Sequence, residues 1–459
     1  MEVSPEEIKI SIKKGKLIIS VYGLGWMGLP TACLFAEAGA MVIGVDIDPR
    51  VIELIQLGES PVEEPNLQAM LKNYINNRIR VTNNLREAAS QSNIIVIVIP
   101  TLIDDGGKPD YSALEKATKE IGLKLNKGSI IIIESTVGLG ITETVVKESL
   151  ETSSGFKAGT DFGLAYSPIR AMAGKTLNDL RSYPRIVGGI DYKSLEIASA
   201  VLESIVSGGI VKVKNIRTAE AIKLFENVYR DVNIALANEL AMFSEKARLD
   251  FKIIKEAANT QPYCHLHEAG IGVGGHCIPF NPYFLIEAAE ELGVEMKLVK
   301  DARKINDSMP NHTALMITKA LRSCKKNLKR SKIAILGLSY RANVKEAKLS
   351  PSHEIIKMLL IKGAKVSVYD PYFKVEELEN MGLPSTGSLE RSIDSADCVF
   401  LAVGHDEFKR LKLENIIRAL RKPACIVDGC QIFSSEEIKG KGVIYYGIGR
   451  GSDAKEEIK

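Results

Sequence analysis

Residues 16–46 read KLIISVYGLGWMGLPTACLFAEAGAMVIGVD, and this stretch decides the fold. The β-branched run Lys16 to Tyr22 feeds into Gly23-Leu24-Gly25-Trp26-Met27-Gly28. A helix-like stretch continues to Gly39, and a second apolar run, Met41 to Val45, ends at Asp46. Strand, glycine turn, helix, strand and acid thus come in the order of a dinucleotide-binding βαβ unit. Gly23 makes the tight turn, Gly25 lets a pyrophosphate approach the helix N-terminus, and Gly28 lets helix and strand pack. Trp26 and Met27 lie between them and join the expected cofactor contacts. Asp46 stands where a carboxylate bonds ribose hydroxyls and repels a 2′-phosphate, so the expected cofactor is NAD.

Working outward, Asn93 to Ile99 and Ser129 to Ile133 are continuous apolar runs of the kind central parallel strands show. Each ends in small polar residues, Pro100-Thr101 and Glu134-Ser135-Thr136, at the sheet edge where open α/β folds bind ligands. Thr101 is an expected cofactor contact. Thr136 either caps a helix beginning near Gly140 or takes part in the chemistry. Phe162 to Tyr166 leads into Ser167-Pro168-Ile169-Arg170, and Pro184 to Gly189 reads as the last strand of a domain that closes near residue 205. A second series begins with Lys332 to Leu336, the turn Gly337-Leu338-Ser339-Tyr340, a helix over Pro351 to Ile361 and a strand over Lys365 to Tyr369. Asp397 to Val403 and Ala424 to Val427 read as later strands. Its turn lacks the full glycine fingerprint, which suggests a Rossmann-like domain for another phosphorylated ligand, with Arg341 and Lys348 as anion partners. The expected class is α/β: two Rossmann-like doubly wound domains, 1–205 and 326–459, joined by a long central helix and a helical middle domain, 206–325.

Between them, Arg217 to Lys246 contains neither Gly nor Pro, and Phe225, Val228, Val232, Leu236 and Phe243 recur at helical spacing. Lys223, Asn227 and Asp231 share one row of that helix. The row is either a wet face, as Glu220, Glu226, Arg230 and Asn233 nearby suggest, or a set of working groups. Beyond Asp231, aliphatic residues stand on more than one side, Ile234, Ala237 and Ala241 as well as Leu236, Leu240 and Phe243. That pattern predicts burial by a second copy, a homodimer. Next comes Gly270-Ile271-Gly272-Val273-Gly274-Gly275-His276-Cys277-Ile278-Pro279. Four glycines strip the backbone of side chains and allow close approach. Cys277 is then a nucleophile, or a small hydrophobe ending a loop, held by the stiff turn of Pro279 and Pro282.

The chain has 459 residues, a net charge of +3, 45% hydrophobic and 25% charged residues, too long for one core and ordinary for a globular protein. It carries no apolar run of membrane-spanning length, and a start with Glu2, Glu6 and Glu7 lacks the pattern of a signal peptide, so a cytoplasmic location is expected. The seven cysteines are scattered and form no CxxC pair, which fits free thiols in a reducing compartment. Cys264, His265, His267, His276 and Cys277 cluster, but without zinc-ligand spacing, so no metal is expected. The Lys325-Lys326-Lys329-Arg330 group reads as a solvated linker and not as a nucleic-acid patch.

Taken together, the dinucleotide domain, the helix with Lys223 and Asn227, the loop with Cys277 and the second nucleotide-like domain resemble the UDP-glucose/GDP-mannose dehydrogenase family over nearly the whole chain. Residues 223–235 and 274–278 look most like its branch acting on UDP-N-acetylmannosamine. Glu134-Ser135-Thr136-Val137, Val368-Tyr369-Asp370-Pro371-Tyr372 and Gly447-Ile448-Gly449-Arg450 also match family segments. The resemblance implies oxidation of a UDP-sugar C6 alcohol to the acid with two NAD in turn, through a thioester on Cys277. It further implies that Lys223 and Asn227 stabilise anionic oxygen, that Thr136 places water, and that Arg170, Lys223, Asn227, Gly274, Gly275, Tyr340, Arg341 and Lys348 contact the substrate. The chain departs from the family pattern at Ile169, where Glu is usual, at Asn281 for Asp, and at Tyr263 and Lys348 for Arg. Two alternatives remain: a two-electron dehydrogenase of the 3-hydroxyacid type, and a non-catalytic protein binding NAD and a nucleotide sugar.

Overall fold

The computed structural model describes residues 4–104 and 108–451. It divides into two compact units, Met1–Glu226 with Tyr283–Val294, and Asn227–Pro282 with Glu295–Lys459.

In the first unit the strands are β1 (Ile18–Tyr22), β2 (Met41–Val45), β3 (Ile79–Thr82), β4 (Ile94–Ile97), a two-stranded ribbon β5 (Leu102–Ile103) and β6 (Pro109–Asp110), then β7 (Ile130–Ile133), β8 (Gly163–Tyr166), β9 (Arg185–Gly189) and β10 (Ile210–Lys212). The main sheet runs β10-β9-β8-β7-β4-β1-β2-β3. From β3 to β8 this is the dinucleotide-binding order, parallel throughout, and β9 joins antiparallel to β8. The strands are apolar on both faces because helices cover both. Ile19, Val21, Ile94, Val96, Ile130 and Ile132 enter one core, and Tyr22, Ile43, Ile95, Ile97, Ile131 and Ile133 the other. The expected strands of this unit are present; the ribbon strands β5 and β6 are additions, and so are the edge strands β3 and β10. Both edge strands are short and pair along one side only, and β10 is largely exposed, so neither shows a continuous apolar run.

The second unit holds a five-stranded parallel sheet of β11 (Lys332–Leu336), β12 (Lys365–Tyr369), β13 (Cys398–Leu401), β14 (Cys425–Asp428) and β15 (Ile444–Gly447), in the order β12-β11-β13-β14-β15. This is the other common doubly wound order, with its reversal between β11 and β13. The helix Lys297–Ser323 and the later part of the central helix, through Ala237 and Ala241, pack into the core on one face of this sheet. Lys326, expected in a solvated linker, instead donates to Asp397 (2.6 Å) and to the Arg421 carbonyl (2.6 Å), anchoring the entry to β11. The central helix runs Ile216–Ala247, one residue longer at each end than the sequence predicts.

In the glycine turn after β1, a Cβ on Gly28 would lie 1.7 Å from the Gly23 carbonyl oxygen, whereas one on Gly25 would meet no atom within 4 Å. Gly28→Ala is therefore expected to destabilise the protein by about 1–3 kcal/mol and Gly25→Ala by no more than about 0.5 kcal/mol. Chemical denaturation of the two variants checks this; equal losses would contradict the packing role of Gly28.

Candidate active site

In the first unit, the carboxyl ends of β1 and β4 flank the point where strand order reverses, the usual ligand crevice of such sheets. Gly23 turns the chain at φ +92°, where a Cβ would sit 2.6 Å from the Val98 carbonyl oxygen. Gly25 is different: it is exposed, and the space in front of it is filled by no protein atom, so its missing side chain leaves a cradle for a ligand. The helix Gly28–Glu37 starts beside it, and its N-cap residue Met27 offers no side-chain acceptor to the first-turn N–H groups. The positive end of a helix beside a bare glycine suits a pyrophosphate. Asp46 closes the crevice, accepting from the Leu24 N–H (2.8 Å) and the Asp48 N–H (3.0 Å). Each oxygen retains acceptor capacity for a ribose hydroxyl. Arg50 bonds Asp48 at 2.7 Å. These residues fit NAD.

Further along the same edge, the Thr101 hydroxyl donates to the Thr136 carbonyl. Thr136 caps no helix, because the helical segment beyond it starts at Thr142 with Ile141 as an N-cap that makes no side-chain bond. Lys223, 9% exposed, donates to the Ile169 carbonyl (2.7 Å). The Ile169 side chain lies in the core, so the residue holds the lysine through its backbone. Arg170 pairs with Glu226 (2.7 Å) and donates to the Pro184 carbonyl (3.1 Å). Glu134 and Arg185 form a buried ion pair, in which burial pushes the Glu134 carboxyl up against the pull of Arg185. Glu220, fully buried, accepts from the Gly140 N–H (2.6 Å) and the Thr142 N–H (3.0 Å). Burial pushes its pKa up to about 7.

In the second unit, Asn227 is buried and its Nδ2 meets no acceptor among the described residues. Asp231, also buried, accepts from Arg303 (2.5 Å) and from Asn306 Nδ2 (2.8 Å). Burial raises its carboxyl above the usual range, and Arg303 opposes that shift. Asn306 Oδ1 accepts from Asn238 (2.9 Å), whose own Oδ1 accepts the Gly270 N–H (2.9 Å), so the chain of bonds ends at the base of the glycine loop. The wet-face alternative for the row of Lys223, Asn227 and Asp231 is thereby corrected. All three are buried, while Phe225, Tyr229, Leu236 and Phe243 are exposed on the same helix, as are charged residues such as Arg230 and Glu239.

The glycines of the Cys277 loop admit protein. A Cβ on Gly274 would fall 2.7 Å from both the Leu349 carbonyl oxygen and Tyr340 Cβ, and one on Gly275 (φ +82°) 2.9 Å from the Tyr340 ring. Gly274, Gly275 and Tyr340 are therefore brought together, and the turn after β11 seats the loop. Cys277 is exposed, and its carbonyl accepts the N–H of Asn281 (2.9 Å). The Asn281 side chain is buried, and its Nδ2 also meets no acceptor among the described residues. Burial, then the nearby Cys277 sulfur, push the Tyr340 phenol up, whereas burial pulls the His276 imidazole down, towards its neutral form. Arg341 is half-buried and Lys348 exposed, its N–H on Glu346 Oε1 (2.9 Å). Tyr263 is 89% exposed. Among the described residues, no group of three or more His, Cys, Asp or Glu side chains is arranged to hold a metal.

Sequence reasoning missed Glu220, the Asp231–Arg303–Asn306–Asn238 chain and a buried pair, Asp370 and His405 (3.1 Å). A signal existed for the first two. Glu220 and Asn238 extend the Lys223, Asn227, Asp231 row in steps of three and seven, the spacing of one helix face.

Family models match most of the chain. The NAD binding domain of the UDP-glucose/GDP-mannose dehydrogenase family matches residues 17–206, its central domain 217–308 and its UDP binding domain 334–435. The chain is 36% identical over 436 residues to UDP-N-acetyl-D-mannosamine dehydrogenase of Pyrococcus horikoshii, covering 94% of this chain and 99% of that protein. It is 35% identical over 402 residues to the Methanococcus maripaludis protein of the same name, covering 87% and 88%. Among solved structures, the UDP-D-ManNAc dehydrogenase from Pyrococcus horikoshii superimposes with a TM-score of 0.88 at 36% identity, covering 95% of this chain and 100% of that one. An NDP-N-acetyl-D-galactosaminuronic acid dehydrogenase from Methanosarcina mazei does so with a TM-score of 0.83 at 30% identity, covering 99% and 100%.

With the Asp46 carboxylate at the end of β2 and Arg50 tied to Asp48, NAD is expected to be used at least about a hundredfold more efficiently than NADP, roughly 2.7 kcal/mol of discrimination. Steady-state kinetics with each cofactor checks this, and comparable kcat/KM values would refute it.

Proposed function

This chain belongs to the UDP-glucose/GDP-mannose dehydrogenase family of NAD-dependent nucleotide-sugar dehydrogenases, and from that premise we propose that it oxidises the C6 alcohol of UDP-N-acetylmannosamine, or a related UDP-hexose, to the carboxylate. The relatives named above support the sugar, and the cradle before Gly25 supports the cofactor. NAD, when bound, accepts hydride from the sugar carbon, once for each of two oxidations. In this reading residues 1–205 bind the cofactor, 326–459 the UDP group, and 206–325 carry the nucleophile and the subunit contact.

The observation that carries the chemistry is the pairing of an exposed thiol on a rigidly seated loop with a buried amide donor that has no partner among the described residues. Cys277 adds as thiolate to the C6 aldehyde, giving a thiohemiacetal; loss of the second hydride leaves a thioester, and water releases the acid. Each tetrahedral stage places negative charge on oxygen. Asn227 Nδ2 donates to that oxygen, and the Lys223 ammonium, kept in place by the Ile169 carbonyl, supplies the cation. Thr136 orients water. Gly274, Gly275, Tyr340, Arg341 and Lys348 line the substrate's side of the loop, and Arg170 contacts the sugar after giving up its bond to Glu226. Two-electron 3-hydroxyacid chemistry would leave the seated Cys277 loop and the second sheet without a task.

We further propose a homodimer built on the central helix. Tyr229, Leu236 and Phe243 lie at intervals of seven and stay more than 40% exposed, with Phe225 one turn earlier. Seven-residue spacing makes one stripe, and an apolar stripe left bare on a helix whose other faces are satisfied fits a second copy of itself. No helix among the described residues is long and apolar enough to cross a membrane.

Two experiments bear on this reading. Cys277→Ala should lower acid formation by roughly three orders of magnitude or more while NAD binding persists, and Cys277→Ser should accumulate an ester-linked sugar visible by intact-protein mass spectrometry. Two NADH per sugar from the alanine variant at the wild-type rate would refute the covalent route. Phe243→Glu should convert a dimer to a monomer in sedimentation at micromolar concentration; an unchanged mass, or a monomeric wild type, refutes the proposed contact.

A further inference from the structure

Glu220 is a buried acid that no step of the proposed reaction uses. It sits three residues before Lys223 on the central helix, 0% exposed, and reaches the segment following β7. Its two oxygens accept the N–H groups of Gly140 and Thr142 at 2.6 and 3.0 Å. That segment begins at Thr136 and is held at two further points, by the Thr101 hydroxyl on the Thr136 carbonyl and by the Tyr111 oxygen, which accepts the Gly138 N–H at 3.0 Å. Gly140 turns at φ +86° beside the Arg217 guanidinium. The two neutral pins fix the front of the segment, and the carboxylate fixes its far end.

We infer that Glu220 is a positioning residue for the dehydrogenase reaction: by gripping the Gly140 and Thr142 N–H groups it holds Thr136 in register with Lys223 of its own helix. The inference rests on the reading of Thr136 and Lys223 as working groups. The physics follows from what the acid faces. As a carboxylate, both oxygens accept. Once protonated, the acid loses its charge, and both bonds of the clamp weaken from charge-assisted to neutral ones. Around it stand the phenols of Tyr111 and Tyr166, the carboxyl of Glu143 on the segment itself, Arg217 beside Gly140, and Glu134 behind Tyr166. Burial outweighs the backbone bonds, and Glu143 adds to it, so the acid titrates near pH 7.

The sign of the linkage gives a readout that a merely structural acid would not. The folded pKa is raised from 4.5 to about 7, so between those values the folded state holds a proton that the unfolded chain has released. The stability contributed by this group therefore falls as pH rises through the window, while the clamp tightens. Order in the segment and global stability move in opposite directions.

The test compares wild type and Glu220→Gln from pH 5.5 to 9, with NAD and UDP-N-acetylmannosamine, alongside hydrogen exchange of residues 137–142. Wild type is expected to lose kcat below pH 7 by about tenfold with little change in the KM for NAD, and exchange of the segment, corrected for intrinsic rates, should be faster at pH 6 than at pH 8. The glutamine, with one acceptor and one donor, should hold both quantities at the low-pH level throughout. A variant that keeps the wild-type pH limb overturns the inference. Should the variant fail to fold, exchange on wild type alone decides: equal protection at the two pH values overturns it. Should wild type turn over no UDP-sugar, the substrate reading fails, and the exchange measurement still decides whether the clamp exists.

Discussion

The constraint on which the rest depends is the inside-out character of the central helix. A surface helix ordinarily buries its apolar stripe and wets its polar one. Here Glu220, Lys223, Asn227, Asp231 and Asn238 are all less than 10% exposed, while Phe225, Tyr229, Leu236 and Phe243 face outward. Burying these polar side chains is tolerable because Glu220, Lys223, Asp231 and Asn238 are met, with carbonyl, guanidinium, amide or N–H, and an unmet group in such a place costs about 1–3 kcal/mol. Asn227 Nδ2 stands out as the donor left over. The interior polar stripe suits chemistry and the exterior apolar stripe suits association, so one helix accounts for both parts of the proposed function.

The two doubly wound sheets solve one problem with one device and then diverge. Each first strand ends in a glycine of positive φ, Gly23 and Gly337, whose N–H bonds the end of the second strand, at Val45 and Tyr369. Each second strand is followed by an aspartate that accepts from the leucine after that glycine, Asp46 from Leu24 and Asp370 from Leu338. Asp46 remains half-exposed. Asp370 is buried, and it also accepts from Ser339 and meets His405, whose Nδ1 in turn accepts the Asn343 N–H. The His405 pair, packed against Tyr372 at 5.0 Å, fills acceptor positions that in the first sheet stay open to a ribose. The second turn is thus braced from within, consistent with a ligand held by other groups, and it also carries Tyr340, against which the Cys277 loop is seated.

Much of this was legible in the chain because the deciding features are local. The glycine turn, the apolar strands, the helix over Pro351–Ile361 and the length of the central helix follow from periodicity and from Gly and Pro placement. What escaped depends on partners far along the sequence. β10 is a strand only because β9 pairs with it, and β3 only through β2. Glu220 and Asp231 look like surface charges until Gly140, Thr142 and Arg303 are brought to them from 72 to 80 residues away. Thr136 has the composition of a cap and the position of one, but the helix starts too late for it. A polar row at helical spacing is the same string of letters whether water or protein meets it.

The departures at Ile169 and Asn281 acquire a physical meaning from their surroundings. Ile169 places its side chain in the core and its carbonyl on Lys223, so loss of a carboxylate there leaves the tether of the cation intact, because that tether is backbone. Asn281, 3% exposed with its N–H on the Cys277 carbonyl, stands where an unpaired carboxylate would carry a large desolvation cost. Each substitution puts a side chain that takes up no proton where a carboxylate would stand; Asn281 offers an amide in its place and Ile169 no polar group. In the mechanism proposed above, the anionic oxygens need donors, whereas oxidation of the alcohol, which releases a proton along with the hydride, and release of the thioester by water both call for a proton acceptor. The departures therefore bear on the steps that remove a proton, and they leave in place the donors, Asn227 and the tethered Lys223, that the proposed mechanism assigns to the anionic oxygen.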